Sequence, residues 1–482
     1  MNLIAAALLL IFSSGRWVVP LAPWLSPIFL LRFVRGGRTL PRLAAAGAVL
    51  YALGCWTWWG MVPVPAPGYF AIMVVIMLPP LLPYVVDRVL VGRDAGFGAT
   101  LVFPSAWVVT EYLTSITSPY GSWGLVAYTQ VDHLPLIQSA AVTGLWGIGF
   151  LIAWTGSVAN WAWERGFAWP RVRNGVLTWC GTLSVVLFMG GARLVLAPPA
   201  GPSLRVASFT VPPSERLSPA DLLTRGRSGA ALERLRADLR AHQDSLYDCV
   251  RREARAGARL VVWSEVGTFV LKDEEEAFKR RAGEVAKEAG VHLIAGIAVF
   301  TPGQGYYENE LVAFDSTGAL LASYHKARPV PGDPERGADR EIPVFETTLG
   351  RIAGAVCFDA DFPDLIVRAG RQRADLLVVP SSDWRAIDPV HTRMALMRGV
   401  ENGCSVVRQT NQGLSAVADY QGRVLAWSDY FRTAPRVMMA QVPVRGARTP
   451  YARVPDLLPM LAIALTSAAV VGRITRRRYS PS

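Results

Sequence analysis

Across its first 198 residues the chain carries no lysine and only five carboxylates, Asp87, Asp94, Glu111, Asp132 and Glu164. An ordinary soluble domain holds about a quarter of its residues as charged side chains. A long stretch this poor in charge and this rich in apolar residues has lipid as its natural solvent. The depletion lowers the 482-residue chain to 18% charged and leaves it 51% hydrophobic, which excludes disordered and collagen-like classes. From residue 199 onward both signs of charge return, over a segment long enough for one large core.

Crossing a bilayer takes about 20 mainly apolar residues. Such runs fall at 43–62, 69–91, 99–116, 135–163, 175–196 and 457–471, with a shorter, proline-broken run at 17–33 and a short one at 2–13. The run at 2–13 reads as a first short span, because no basic residue precedes it and no clear small-residue cleavage site follows. About eight spans result, seven before the polar segment and one after it. Their arginines alternate. Arg32, Arg35, Arg38 and Arg42, then Arg88 and Arg93, then Arg165, Arg171 and Arg173 occupy every other connection, and Arg473, Arg476, Arg477 and Arg478 follow the last run. On the opposite side only Arg16 and Arg193 occur. By the positive-inside rule the basic loops and the tail are cytoplasmic, and residues 199–455 lie outside the cytoplasmic membrane. The expected organisation is a transmembrane bundle over 1–198, an outer domain over 199–455, and a final span with a basic tail over 456–482. In the outer loop 117–134, Tyr120, Trp123 and Tyr128 read as an interfacial aromatic belt, with a lipid-facing rim as the alternative.

The net charge of +12 does not indicate a nucleic-acid partner, because the excess sits mostly beside the apolar runs and in the tail. The five cysteines form no C-x-x-C pair, so zinc ribbons and thioredoxin-like sites lack support. Cys249, Cys357 and Cys404 are an odd set for an oxidising compartment, where a thiol either pairs or reacts.

The polar segment alternates strand-like runs, at 204–211, 260–265, 292–300, 311–314, 320–326, 352–359, 376–380, 405–410 and 415–420, with helical stretches at 220–255, 272–289, 362–373 and 389–403. In the first of these helices Leu232, Leu235, Leu239, Leu246 and Val250 recur on one face. The alternation implies an α/β architecture. Phosphate loops, G-x-G-x-x-G, H-E-x-x-H and G-x-S-x-G are all absent, and the five histidines show no ligand spacing, so no metal site is expected.

Three apolar strand-like runs end in polar residues. LVVWSE ends at Glu265, LLASYHK at Lys326, and AGAVCFD holds Cys357. Strand ends of this kind converge on one rim of a sheet. Cys357 by itself is weak evidence, since a cysteine after Ala-Val is usually a small core hydrophobe, but Asp361 is placed to cap a helix directly after it, and a thiol near a helix N-terminus has its thiolate favoured. Lys326 stands apart from Lys272, Lys279 and Lys287, which share one charged helix; in an arginine-rich chain the choice of lysine favours a compact charge over an oxyanion, against a plain ion pair. Glu265, either a salt-bridge partner or a desolvated carboxylate, suits a base that takes the thiol proton. His391 reads as a helix-surface residue, Cys404 as packed at a helix-to-strand joint, and Asn411–Gln412–Gly413 as a turn.

Glu, Lys and Cys in that order, in the contexts VVWSE, YHKARPVPG and VCFD, resemble the triad of the nitrilase superfamily. The flanking apolar runs, with FPSAWVVTEYL, SWGLVAYTQ, GLWGIGFLI, YYEN, MRGVENGCSVVRQTNQGLSA and TPYAR, make the chain similar to the apolipoprotein N-acyltransferase family over most of its length. That resemblance implies a nitrilase-like αββα domain facing the periplasm of a bacterial inner-membrane protein, and no cofactor. It implies that Glu265 deprotonates Cys357, that the thiolate takes an acyl chain from a phospholipid as a thioester, and that Lys326 and the backbone N–H of Phe358 hold the oxyanion. The acceptor it implies is the amino group of a lipoprotein's N-terminal diacylglyceryl-cysteine. Several positions depart from the family. After Lys326 the pattern L-V-P-F-G-E becomes RPVPGDPE, so Glu335 supports the site only if the loop carries one extra residue, and otherwise is a solvated charge. Phe358 and Asp359 replace the Tyr and Glu usual after the nucleophile, and Ser382–Asp383–Trp384–Arg385 replaces N-D-A-W-F-G. The alternatives are a membrane-tethered amidase in which water resolves the acyl-enzyme, and a non-catalytic scaffold.

Overall fold

The structure is a computed structural model that describes residues 1–92, 95–212, 222–223, 226, 228–337, 339–434 and 436–479. Ala220 and the side chains of Arg476, Arg477 and Arg478 lie outside the described residues, as does Arg93. The chain divides into two compact units, Met1–Ala197 with Arg453–Ser482, and Pro198–Ala452.

The first unit is helical. Its main helices are Asn2–Ile11, Ala22–Arg35, Thr39–Thr57, Ala66–Met77, Leu82–Leu90, Val102–Thr117, Leu145–Glu164, Trp169–Leu196 and Leu457–Tyr479. By length and apolarity three helical stretches among the described residues are able to cross a membrane: Ala66–Leu90, Trp169–Leu196 and Leu457–Thr475. A fourth results if Leu134–Thr143 and Leu145–Glu164, bent by 118°, form one span. The run at 135–163, expected to be continuous, is broken at Gly144, whose φ of +64° is a conformation that residues with a Cβ avoid. Asn2–Ile11 is apolar but only ten residues long. Few as the charges in the unit are, three of them share one junction: the Arg35 guanidinium grips Asp87 through two parallel bonds of 2.7 and 2.8 Å and reaches Glu164 at 3.2 Å. The loop 117–134 also packs inward. Tyr128 is buried with its hydroxyl 2.6 Å from Ser122, and Trp123 meets the edge of Trp58, so these two rings do not form an outward belt.

The second unit contains fourteen described strands, β1 (Ser203–Phe209), β2 (Leu260–Trp263), β3 (Thr268–Leu271), β4 (His292–Phe300), β5 (Tyr307–Phe314), β6 (Leu320–His325), β7 (Glu335–Arg336), β8 (Val344–Thr347), β9 (Gly350–Gly354), β10 (Leu376–Ser382), β11 (Ser405–Asn411), β12 (Leu414–Ala418), β13 (Val424–Asp429) and β14 (Val437–Pro443). They form two sheets. One runs β14-β1-β2-β4-β5-β6, with β3 beside β4 and β7 beside β5; the other runs β13-β12-β11-β10-β9-β8. Parallel pairing unites β1, β2 and β4 in the first sheet and β9, β10 and β11 in the second. Helices cover the strands buried on both faces, as parallel strands require. Gly229–Arg255 and Glu275–Ala289 send Leu246, Tyr247, Val250, Phe278 and Val285 into one core with Phe209, Val261, Trp263 and Ile297. On the second sheet, Gly399 of helix Val390–Asn402 lies so close to β11 that a Cβ there would stand 2.7 Å from Val406. The two sheets face each other where Gly354 of β9 meets Leu311 of β5. This is the expected α/β sandwich.

Most strand-like runs fall where the sequence places them, with one informative exception. The run at 352–359 ends as a strand at Gly354, and Cys357–Asp361 is a short 3-10 helix. The apolar pattern does not reveal β3, β7, β8, β13 or β14: β7 is two residues long, β3 and β8 are four, β13 exposes three of its six residues and β14 alternates buried with exposed ones.

Gly296 shows how tightly the first sheet closes on the turn after β2. A Cβ at 296 would lie 2.5 Å from the Ser264 carbonyl oxygen and 2.7 Å from the Glu265 Cα, both backbone. Gly296→Ala is expected to destabilise this unit by about 1–3 kcal/mol and to displace Glu265, read as a lower thermal midpoint together with slower labelling of Cys357 by an acyl donor.

Candidate active site

Glu265 lies two residues beyond β2, whose four residues are all buried. The chain turns there through Val266 at φ +50°, a strained conformation for a β-branched residue, and Gly267 donates to the carbonyls of Ser264 (3.1 Å) and Gly296 (2.9 Å). Lys326 comes directly after β6, its N–H donating to the Asn309 carbonyl at 2.9 Å. Next to it Gly337 leaves room for the Lys326 carbonyl, which a Cβ would meet at 2.2 Å.

These placements bring an ammonium between two carboxylates. Lys326 is 1% exposed, and its Nζ donates to Glu265 Oε1 at 2.9 Å and to Glu335 Oε1 at 2.8 Å. The Asn309 amide on β5 closes the set, donating to Glu265 Oε1 at 2.7 Å and to Glu335 Oε2 at 2.6 Å. The Val330 N–H also donates to Glu335, at 2.6 Å. Glu335, one place beyond the position that the family pattern would give it, is thus buried on β7 and not a solvated loop charge. Burial alone would lower the pKa of Lys326; Glu265 and Glu335 outweigh it and hold the group well above the ordinary lysine range, which favours the ammonium form.

Cys357 opens the 3-10 turn with φ +47°, a left-handed backbone that non-glycine residues adopt at a cost of about 1–3 kcal/mol. Its Sγ points to the Ser382 carbonyl at 3.5 Å. Burial, and after it the Glu265 carboxylate, push the thiol well above the ordinary cysteine range, while Lys326 acts in the other direction. The resting group is a thiol beside a carboxylate, which suits base-assisted attack rather than a standing thiolate. The five cysteines are free; Cys404, buried at the helix-to-strand joint, is pushed up to about 12 by burial and is chemically quiet.

The turn is tied down at both ends. Asp359 accepts from Val356 N–H (2.9 Å), Arg328 N–H (2.9 Å) and the Tyr324 hydroxyl (2.8 Å), linking the cysteine turn to the segment after Lys326. Burial pushes this carboxyl up to about 7. The Phe358 ring packs edge-on against Phe362, 5.3 Å between centroids. Asp361, expected to cap the following helix, does not: Pro363–Arg371 begins after Phe362, with no side-chain cap. Asp361 turns instead to His391, Oδ1 to Nε2 3.2 Å. His391, expected on a helix surface, is buried, and its Nδ1 lies 2.7 Å from Asp383 Oδ1. The Arg408 guanidinium takes both oxygens of Asp383, at 2.9 and 3.1 Å.

Sγ of Cys357, a carboxylate oxygen of Asp383 and a ring nitrogen of His391 lie within 4.8 Å of one another, a donor set of a kind that holds metal ions. Here the charge of Arg408 already balances Asp383 and both carboxylate oxygens are engaged, so a dication would have to displace a buried guanidinium. The residues do not fit a metal centre. Asn309, Tyr324, Asp383 and Arg408 are the site residues that sequence reasoning missed. Asn309 stands in the YYEN segment and Asp383 in the divergent SDWR segment, whereas a buried arginine on a strand such as Arg408 carries no local signal.

Burial lowers the His391 pKa, but Asp361 and Asp383 outweigh it and push the imidazole up to about 9 from an ordinary 6.5. Because the folded value is the higher one, its contribution to stability is complete below pH 6.5 and is lost as pH rises through about 9. The thermal midpoint of the wild-type chain is expected to fall between pH 6.5 and 9 more steeply than that of His391→Gln. Equal slopes would show that His391 is neutral in the folded protein.

Two family descriptions match the chain: the apolipoprotein N-acyltransferase N-terminal domain over residues 5–158, and carbon-nitrogen hydrolase over residues 225–449. An apolipoprotein N-acyltransferase of Geobacter metallireducens is 28% identical, covering 94% of this chain and 88% of its own length. One of Pseudomonas syringae pv. tomato is 26% identical, with 92% of each chain covered. A solved amidase from Nesterenkonia sp. is 19% identical with a TM-score of 0.40, over 53% of this chain and 94% of its own. The chain is thus a homologue of the apolipoprotein N-acyltransferases, joining that family's N-terminal domain to a nitrilase-like carbon-nitrogen hydrolase domain.

Proposed function

We propose that the protein transfers an acyl chain from a phospholipid to the α-amino group of the N-terminal diacylglyceryl-cysteine of lipoproteins, through a thioester on Cys357. The observation that carries this reading is the buried ammonium of Lys326, shared by Glu265 and Glu335 next to a buried cysteine in a left-handed turn. Glu265 takes the thiol proton as Sγ attacks the ester carbonyl. The oxyanion that forms is held by Lys326 and the backbone N–H of Phe358, and the departing lysophospholipid oxygen takes the proton back from Glu265. In the second half the acceptor amine attacks the thioester, passes its proton to Glu265, and the thiol is restored. Glu335, Asn309 and Asp359 position these groups without touching the reacting atoms. No diffusible cofactor enters this scheme.

In this reading about eight helices span a bacterial inner membrane, and residues 199–455 form the catalytic domain on the periplasmic side, as the arginine distribution implies. Both substrates keep their acyl chains in the bilayer, which is the physical reason for an anchored enzyme. The amidase alternative is motivated by the divergent loop after Lys326. That loop delivers Glu335 to the lysine, an arrangement that serves either reaction, so the fate of the acyl-enzyme separates the two readings.

Intact-mass measurement of the detergent-solubilised protein mixed with phospholipid, before and after adding a diacylated lipopeptide, tests both halves. An acyl adduct is expected that is absent in Cys357→Ala and passes to the peptide amine; an adduct lost only to water, or none, overturns the acyltransferase reading. In Glu335→Gln, loss of one charged hydrogen bond to Lys326 is expected to slow adduct formation about tenfold or more, and an unchanged rate would remove Glu335 from the machinery.

A further inference from the structure

The nucleophile turn has two anchors, and the second plays no part in the acyl-transfer scheme. At its first end Asp359 ties the turn to the segment after Lys326. At its other end Asp361 meets His391 Nε2 at 3.2 Å, while His391 Nδ1 lies 2.7 Å from Asp383 Oδ1. These elements come from three places in the chain: the cysteine turn itself, the helix Val390–Asn402, and the residue after β10. Asp361, Asp383 and His391 are all buried, as is Arg408 of β11, which holds Asp383 in a fork. Sγ of Cys357 lies within 4.8 Å of the Asp383 and His391 atoms.

Two features need such a device. Cys357 sits at φ +47°, and a left-handed cysteine persists only where its surroundings over-determine it. In addition, Asp361 and Asp383 are buried beside a group that must become an anion; Arg408 balances Asp383, and a neutral His391 would leave Asp361 uncompensated. An imidazole with a carboxylate on each ring nitrogen donates to both only as the cation; Arg408 Nη2, which also lies 3.0 Å from His391 Nδ1, is engaged by Asp383 Oδ1 at 2.9 Å.

We propose that His391 is a positioning residue of the cysteine site: as a buried imidazolium bridging Asp361 and Asp383, it pins the left-handed turn to β10 and cancels carboxylate charge next to Sγ. The proposal rests on the reading of Cys357 as the nucleophile. The charged groups facing His391 are Asp361 from the turn, Asp383 from the end of β10, Arg408 from β11 and the Cys357 thiol itself. The turn is thereby held by two independent ties, one toward the lysine and one away from it.

The test compares full-length wild type, His391→Gln, Asp361→Asn and the double variant by two readouts: the rate of acyl-adduct formation from phospholipid, and the pH profile of Cys357 alkylation by iodoacetamide. Each single variant is expected to slow adduct formation at saturating phospholipid by roughly tenfold or more, because a small displacement of a nucleophile is enough for that, without changing half-saturation. The double variant is expected to be no slower than the worse single one. The alkylation inflection should rise by about one pH unit in His391→Gln, which removes a cation, and should not rise in Asp361→Asn, which removes an anion. General loosening of the fold would move both variants in the same direction. A His391→Gln protein with the wild-type rate and profile overturns the proposal, as do effects that multiply in the double variant. If His391→Gln does not fold, Asp361→Asn decides: it keeps the imidazole and its contact with Asp383, and a wild-type rate there overturns the bridge. If wild type itself forms no adduct, the acyltransferase reading fails, while the opposite response of the two alkylation profiles still decides whether His391 bridges.

Discussion

One buried ammonium organises the α/β unit. An isolated Lys326 at this depth would be prohibitively costly, and the pairing of its Nζ with Glu265 and Glu335 is what makes the position tenable. The pairing in turn constrains three separate pieces of chain: the turn after β2, the end of β6 and the two-residue β7. All three must arrive at hydrogen-bonding distance, and Asn309 on the intervening β5 satisfies a second lone pair on each carboxylate. The glycines at 296 and 337 reflect the same demand, since each lies where a Cβ would strike the backbone of Glu265 or Lys326.

Cys357 belongs to the other sheet, in a turn that opens three residues after β9. Its position between two charge clusters has a chemical consequence. Burial and Glu265 favour the neutral thiol at rest, while Lys326 and Arg408 favour the thiolate. In the proposed reaction, charge develops on sulfur only as the proton leaves for the carboxylate, and the Lys326 ammonium nearby holds the oxyanion formed next. Asp359 and Asp361, two residues apart in one short turn, face opposite supports, the first the segment after Lys326 and the second His391.

The helical unit shows the same economy of charge. Arg35 gathers two of the five carboxylates in its stretch of chain, Asp87 and Glu164, so that helices distant in sequence share one ion-paired junction. In a region with apolar surroundings this is the arrangement that desolvation costs select.

Much of this architecture was legible locally. Charge depletion marked the helical unit, alternation of apolar runs marked the α/β sandwich, and the strands that are buried on both faces, such as β4, were readable because every residue in them is apolar or nearly so. Glu265, Lys326 and Cys357 were visible as polar residues ending apolar runs. Tertiary structure alone decided the rest. Whether Glu335 meets Lys326 depends on the path of the loop between them. Whether Asp361 caps a helix or meets His391 depends on where β9 stops. His391 and Arg408 look like ordinary surface charges when read along the chain. Periodicity and composition record what a residue does with its own neighbours and with solvent, so they determined the units, the layers and the three polar strand ends; pairings between buried charges are set by distances across sheets, and only the folded chain decided those.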